Sequence, residues 1–127
     1  MAYLEHVNIT VAAPDATAGM FVDLFGWHVR WSGNSIHNGY SVHVGSATSY
    51  VALYTGEKGS LHDAQQVSYN QRAGLNHIAF VVDDLDTVET KVKARGFEPH
   101  SHADYEPGRR FYFQDENGLE IEVVQYD

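Results

Sequence analysis

Two stretches of the chain, LEHVNITV at residues 4–11 and LNHIAFVV at residues 75–82, decide the fold. Each is rich in apolar residues that alternate with others, which is the pattern of a strand with one face on a core. Each also carries a histidine at its third position, His6 in the first and His77 in the second. A single histidine on a strand is more often a structural or surface group. The same placement in both stretches makes the pair a candidate for function.

The rest of the chain repeats in the same order. A shift of 71 residues aligns the two stretches position by position and brings Asp15 onto Asp86. A shift of 70 residues brings Gly26 onto Gly96. The identities are few, and it is the order of predicted elements that repeats. The sequence therefore predicts an internal duplication.

A helix is predicted after each opening strand. In the first half Pro14 suits the first helical turn and Gly26 ends the helix. In the second half Asp83 or Asp84 caps the start and Gly96 marks the end. Each helix has an apolar stripe, formed by Met20, Phe21, Leu24 and Phe25 in the first and by Leu85, Val88 and Val92 in the second.

Three strand candidates follow each helix. They are HVRWS, YSVHVG and SYVALYT in the first half, and FEPHS, RRFYFQ and LEIEVVQY in the second, where Asn117-Gly118 is a hairpin signal. The predicted fold class is α+β, with two βαβββ modules that form a concave, partly closed mixed sheet and keep their helices outside. We expect a single domain, with module one at residues 1–56, a connector at 57–74 and module two at 75–127.

The composition excludes several classes of function. The chain has 127 residues and no cysteine, so disulfides, thiolate metal sites and cysteine nucleophiles are absent. It carries 17 acidic and 8 basic residues, and the net charge of −9 would repel a nucleic acid backbone. Neither a signal peptide nor an apolar run long enough to span a membrane is visible. We expect a cytoplasmic protein whose partner is a small molecule, with no nucleic acid and no membrane.

The last predicted strand places a carboxylate beside the two histidines. In LEIEVVQYD, Ile121 and Val123 share the parity expected beneath the helix, so Glu120 and Glu122 face the other side. Two imidazoles and one carboxylate suit a divalent transition metal such as iron, manganese, nickel, cobalt or zinc. Three protein ligands also leave coordination positions for substrate. The internal duplication makes His6 equivalent to His77 and Ala52 equivalent to Glu122, so four positions are candidates for the site and three of them carry a side chain that can bind a metal.

The two modules resemble the vicinal oxygen chelate superfamily, also called the glyoxalase, bleomycin resistance protein and extradiol dioxygenase family, across nearly the whole chain. The resemblance rests on the two opening strands, on LFGW at the end of the first helix, and on the closing hairpin RRFYFQDENGLEIEVV. It implies that His6, His77 and Glu122 are the ligands of one divalent transition metal per site.

The resemblance further implies a metal-dependent enzyme that acts as an isomerase, lyase or dioxygenase on a small substrate with vicinal oxygens. Ala52 and Thr10 replace a glutamate and an arginine usual in glyoxalase I, which disfavours glutathione-linked glyoxalase activity. Glu122 and its neighbour Glu120 are the candidate catalytic carboxylates, with Glu120 as a possible base. Candidates for substrate contact are Asn8, Tyr105, Arg109 and Tyr112.

Other interpretations stay open at this point. The chain can instead be a non-catalytic protein that binds and sequesters an antibiotic, as bleomycin-resistance proteins do, or a regulatory module. Arg109 and Arg110 can bind a carboxylate or phosphate of a ligand, or pair with an acidic residue on a neighbouring strand. His100 and His102, two residues apart, would share a face of a regular strand and could bind a second metal.

The assembly is also expected from the resemblance. In short two-module members of the family, module one of each chain commonly pairs with module two of its partner. We expect a C₂ homodimer with two sites. If the modules pair between chains, each site takes His6 from one chain and His77 with Glu122 from the other. Pairing of the modules within one chain stays open as the alternative.

Overall fold

The computed structural model describes residues 1–63 and 68–127, so residues 64–67 of the predicted connector lie outside the described residues. The chain divides into two compact units, which we call unit 1 (Met1–His62) and unit 2 (Asp63–Asp127). Among the described residues, each unit contains one α-helix and one four-stranded mixed sheet in the order β-α-β-β-β. The predicted α+β class and the duplicated order of elements are therefore confirmed. Across the described residues, none of the helices has the length and apolar character needed to cross a membrane.

Unit 1 begins with the first of the two decisive stretches. Its elements are β1 (His6–Thr10), α1 (Pro14–Phe25), β2 (His28–Ser35), a 3₁₀ turn (Ile36–Asn38), β3 (Gly39–Gly45) and β4 (Tyr50–Thr55). The strand order is β1-β4-β3-β2, with β1 parallel to β4 and the other pairs antiparallel. Helix α1 ends as predicted at Gly26, whose φ of 69° is left-handed and whose N–H donates to the carbonyl of Val22 at 3.1 Å.

Unit 2 repeats this arrangement strand for strand. Its elements are a 3₁₀ turn (Ser68–Asn70), β5 (Ile78–Val81), α2 (Leu85–Ala94), β6 (His100–Tyr105), β7 (Gly108–Gln114) and β8 (Glu120–Tyr126). The strand order is β5-β8-β7-β6, with β5 parallel to β8 and the other pairs antiparallel. The parallel pairing of the first and last strand is possible because the helix crosses over between them.

The start of α2 is capped by the second of the two predicted residues, Asp84. One carboxylate oxygen of Asp84 accepts a hydrogen bond from the hydroxyl of Thr87 at 2.7 Å, and the other accepts from the Thr87 amide at 3.1 Å. The hydroxyl first, and then the amide, hold the pKa of Asp84 below the usual range of an aspartate. Later in the helix Nζ of Lys93 lies 3.6 Å from Oε2 of Glu89, an i,i+4 ion pair.

The first strand after α2 differs from the prediction. It begins at His100, later than FEPHS indicated, and its register with β7 shifts where Ser101 adopts a left-handed φ of 57°. The His100 ring stacks on Tyr112 at 6.3 Å, whereas His102 turns to α2, with Nε2 2.9 Å from a carboxylate oxygen of Glu89. The prediction that the two histidines share a face is therefore wrong, because a bulge separates them.

The core of each unit lies between its helix and one face of its sheet. We call the opposite face of the sheet the helix-free face. In unit 2 Ile121 and Val123 are fully buried on the helix side, as predicted, so Glu120 and Glu122 belong to the helix-free face. Other side chains buried in the two cores are Phe21, Leu24, Val42, Val44 and Leu53 in unit 1, and Leu85, Val92, Phe111 and Phe113 in unit 2.

Candidate functional site

Four side chains form a row across the helix-free face of unit 2, and we call them the unit 2 row: His77, Glu122, Tyr112 and His100. The pairing of three strands produces this row, because Tyr112 on β7 lies opposite Glu122 on β8 and opposite His100 on β6. His77 lies just before β5, with its ring 5.6 Å from the ring of Tyr112 in an edge-to-face arrangement. Adjacent strands thus bring together groups that are far apart in the sequence.

The central contact of the row joins His77 and Glu122. Nε2 of His77 lies 3.3 Å from Oε1 of Glu122, and the side chains are 31% and 9% exposed. The other ring nitrogen of His77, Nδ1, lies 3.4 Å from the hydroxyl of Tyr69. The hydroxyl of Tyr69 can therefore orient the imidazole so that Nε2 is the nitrogen available on the Glu122 side.

The second oxygen of Glu122 has a partner of its own. Nη1 of Arg110 donates to Oε2 at 3.0 Å, and the Arg110 side chain is only 13% exposed. Burial, and then the charge of the Glu122 carboxylate, raise the pKa of the neighbouring Tyr112 phenol. Tyr112 therefore keeps its proton at neutral pH and can act as a hydrogen-bond donor.

The spacing of His77 and Glu122 fits two ligands of one metal ion. Ligand atoms about 2.1 Å from a metal, at an angle of about 90–110°, lie about 3.0–3.4 Å apart. The observed 3.3 Å between Nε2 and Oε1 falls within this range. Within neither unit does the described part of the chain bring three or more His, Asp or Glu side chains together so that they could hold a metal. Unit 2 thus supplies two of the three predicted ligands.

The third predicted ligand, His6, lies in unit 1, at the place equivalent to His77. The strand pairing supports this equivalence. Asn8, two residues after His6, pairs with Ala52, and Ala79, two residues after His77, pairs with Glu122. Nδ1 of His6 is 2.9 Å from a carboxylate oxygen of Glu5, and the histidine side chain is 44% exposed. The complete set of three ligands remains a prediction.

Unit 1 has an aromatic row on its own helix-free face, the unit 1 row: His6, Tyr50, His43 and Trp31. Tyr50 stacks between His6 and His43, with 4.7 Å between ring centroids on each side. The ring of Trp31 follows 5.0 Å beyond His43, and the guanidinium of Arg30 lies 4.6 Å above the Tyr50 ring. Burial, and then the electrostatic effects of His6 and Arg30, lower the pKa of His43 below the usual range of a histidine.

A depression of about 520 Å³ in unit 1 lies at the end of β1. Its lining comes from Thr10, the 3₁₀ turn, β4 and the chain that follows β4. Two hydrogen bonds connect the 3₁₀ turn to β4 and to the chain that follows it. The Tyr54 hydroxyl donates to the carbonyl of Ile36 at 2.9 Å, and the Asn38 side-chain amide donates to Glu57 at 2.7 Å. These two contacts hold the walls of the depression in place.

The remaining predicted residues are distributed over both faces of the sheets. Glu120 starts β8 on the helix-free face of unit 2, opposite Gln114. Asn8 is exposed on β1, and Tyr105 lies beneath the guanidinium of Arg110, with the ring centroid 4.7 Å from its central carbon. The structure does not bring Arg109 to Glu122, because it lies on the helix side and pairs with Asp86 of α2 at 3.3 Å.

Tyr69 was not singled out by the sequence, and Arg110 was named only together with Arg109, without a choice between the two. The parity of β7 already carried the signal for Arg110, since it is two residues from Tyr112 and so shares its face. The expected pairing of Arg110 with an acidic residue on a neighbouring strand is confirmed by its contact with Glu122. Nothing in the sequence points to Tyr69, which lies in the predicted connector.

Solved structures share this fold over almost their whole length. A glyoxylase/bleomycin resistance protein/dioxygenase domain from Frankia sp. EAN1pec has a TM-score of 0.80 at 18% identity, covering 100% of this chain and 99% of that one. The fosfomycin resistance protein FosX from Listeria monocytogenes, complexed with Mn(II) and sulfate, has a TM-score of 0.74 at 20% identity, covering 100% and 94%. TnmS3, an antibiotic binding protein from Streptomyces sp. CB03234, has a TM-score of 0.71 at 15% identity, covering 100% and 98%.

The sequence itself places the chain in a family. No curated protein sequence matches it significantly. A family model does match, and it covers residues 3–123, which include both decisive stretches, both rows and all of the closing hairpin but its last residue. The chain therefore belongs to the Glyoxalase/Bleomycin resistance protein/Dioxygenase superfamily, the vicinal oxygen chelate superfamily that its sequence resembles.

Proposed function

We propose that the protein is a metal-dependent enzyme that acts on a small substrate with vicinal oxygens. The observation that carries this proposal is the 3.3 Å separation of His77 Nε2 and Glu122 Oε1, which suits adjacent positions on one metal ion.

The residues that would hold the ion are His6, His77 and Glu122, and their donor atoms suit iron, manganese, nickel, cobalt or zinc. When bound, such an ion supplies Lewis-acid stabilisation of negative charge on the substrate oxygens. FosX, a structural neighbour solved with Mn(II), has the same fold. The imidazole and carboxylate donors are therefore chemically consistent with the group that the fold implies.

The chain's own residues would orient the substrate and move protons. Tyr112 keeps its proton and can donate a hydrogen bond to a substrate oxygen beside Glu122. Glu120 lies on the same face of β8 and is the candidate base for isomerase or lyase chemistry. Ala52 stands at the place equivalent to Glu122 and has no donor atom, so we do not propose glutathione-linked glyoxalase activity.

A metal titration tests the proposed function. The full chain is dialysed against a chelator, and Mn(II), Fe(II), Ni(II), Co(II) or Zn(II) is then added while heat and protein-bound metal are measured. We expect one ion per chain for at least one of these metals. A chain that takes up none of them with measurable affinity contradicts the proposal.

A second candidate is non-catalytic binding of a small molecule, as in an antibiotic-sequestering protein. The stacked unit 1 row favours it, because aromatic rings exposed on a sheet face offer a surface for flat ligands. The depression of about 520 Å³ at the other end of β1 offers further room for a ligand in the same unit. TnmS3 shares the fold and is described as an antibiotic binding protein. Ligand binding without metal uptake and without turnover would favour this candidate.

We also propose that the site is assembled in a homodimer, with His6 from one chain and His77 and Glu122 from its partner. Inactive His6→Ala and Glu122→Ala chains, mixed and refolded together, should then recover metal binding. Each heterodimer would contain up to one intact site. Each variant refolded alone is the control. Failure to recover binding in the mixture would show that each site is built within one chain.

A further inference from the structure

The two oxygens of the Glu122 carboxylate face different partners. Oε1 lies 3.3 Å from Nε2 of His77, whereas Oε2 accepts a hydrogen bond from Nη1 of Arg110 at 3.0 Å. The Glu122 and Arg110 side chains are 9% and 13% exposed, so little water competes for this contact. A charge-assisted hydrogen bond of this length in a buried place restricts rotation of the carboxylate.

Arg110 is itself held in one orientation. Its Nη2 donates to the carbonyl of Gly108 at 3.3 Å, and its guanidinium lies 4.7 Å from the ring centroid of Tyr105. Gly108 allows this close packing of β7 against β8, because a Cβ there would lie 2.1 Å from the carbonyl oxygen of Gln125. The strand geometry therefore fixes the guanidinium relative to Glu122.

One donor of Arg110 has no partner among the described residues. Its Nε is buried and makes no hydrogen bond. Buried polar atoms of this kind are uncommon in native proteins, because an unpaired donor loses its water without a replacement. The two terminal nitrogens of the guanidinium thus donate hydrogen bonds to Glu122 and Gly108, while its Nε donates none. This orientation is the one that places Nη1 on Oε2 of Glu122.

We propose, on the basis of the proposed metal site, that Arg110 is the positioning residue for Glu122. By occupying Oε2, Arg110 leaves Oε1 as the single oxygen that Glu122 presents to the metal beside His77. A carboxylate that coordinates through one oxygen uses one coordination position instead of two. The position that is saved stays available to a substrate oxygen. The planar, doubly donating guanidinium performs this role, and an ammonium group, which acts as a point charge, does not.

The variant Arg110→Lys tests the inference, because it keeps the positive charge and removes the guanidinium geometry. Metal affinity of the full chain is measured by chelator competition, and the melting temperature is measured after the metal has been removed. We expect a 10–100-fold loss of metal affinity, the usual effect of removing a residue that orients a ligand. X-ray absorption should show one Glu122 oxygen bound in the unmodified chain.

The matched control is Arg109→Lys. Arg109 is the preceding residue of β7 and pairs with Asp86 on the helix side, so this variant should bind metal as the unmodified chain does. If Arg110→Lys does not fold, Tyr105→Leu provides a second variant. Tyr105 is 59% exposed and supports the guanidinium from outside, so its replacement should lower metal affinity by a smaller factor.

The outcomes separate this inference from the proposed function. If the unmodified chain binds no metal, the proposed function fails and the inference fails with it. If the unmodified chain binds metal and Arg110→Lys binds it equally well, only the inference is overturned. An unchanged affinity in Tyr105→Leu, where Arg110→Lys cannot be folded, also overturns it. So does a Glu122 that binds the metal through both oxygens in the unmodified chain.

Discussion

His77→Ala is expected to lower the affinity of the chain for its divalent metal by at least about 100-fold. This loss is larger than the one usual for a residue that only orients a metal ligand, because His77 is itself a proposed ligand. The variant removes Nε2, the donor atom that lies 3.3 Å from Glu122 Oε1. The side chain is 31% exposed, so its truncation leaves no large cavity. Affinity is measured by calorimetric titration of the chain after its metal has been removed.

His100→Ala is the matched control for this experiment. Its imidazole also belongs to the unit 2 row and stacks on Tyr112, but it hydrogen-bonds Gln114 at 2.8 Å and makes no contact with Glu122. The control should keep the affinity of the unmodified chain. Equal affinities in His77→Ala and in the unmodified chain would contradict the role assigned to His77. Equal losses in both histidine variants would point to general damage of the sheet.

Phe113→Ala is expected to have the largest effect on stability, a loss of about 3–5 kcal/mol in the free energy of unfolding. The side chain is fully buried, packs against Phe97 at 5.6 Å between ring centroids and against Phe111 at 6.4 Å, and pairs across the sheet with Ile121. Its removal leaves a cavity in the core of unit 2 that the surrounding close-packed side chains cannot fully close. The loss is measured by urea unfolding followed by circular dichroism.

An exposed aromatic residue of the same unit provides the comparison. Tyr126, at the end of β8, is 53% exposed, so Tyr126→Ala should cost no more than about 1 kcal/mol. Both variants remove an aromatic ring from the same sheet, and they differ in burial. If the two substitutions proved equally costly, the core would not lie where the structure places it.

The duplicated order of elements could be predicted from the sequence because two local signals agreed. Strand periodicity placed Ile121 and Val123 beneath a helix, and the structure buries both of them fully. Helix-ending glycines and a capping aspartate marked the boundaries, and Gly26 and Asp84 occupy those positions. Signals of this kind act within one or two turns of chain, so a single sequence displays them.

The features that could not be predicted depend on contacts between distant residues. Ser101 takes a left-handed backbone conformation that its residue type does not signal, and this bulge separates His100 from His102. Alternation along β7 puts Arg109 and Arg110 on opposite faces, but which of the two shares the face of Glu122 depends on the register of β7 against β8. Register is set by the whole sheet.

The register also reveals how the two halves of the gene product have diverged. In unit 1 Ala52 occupies the position equivalent to Glu122. Arg110 stands two residues before Tyr112, the residue that pairs with Glu122, and the equivalent position in unit 1 is Ser41, two residues before His43, which pairs with Ala52. Both replacements are small, and each is 2% exposed. An acid introduced at position 52 alone would be buried without a counter-ion. We therefore expect a carboxylate at position 52 to be tolerated when a cation is introduced at position 41 in the same variant.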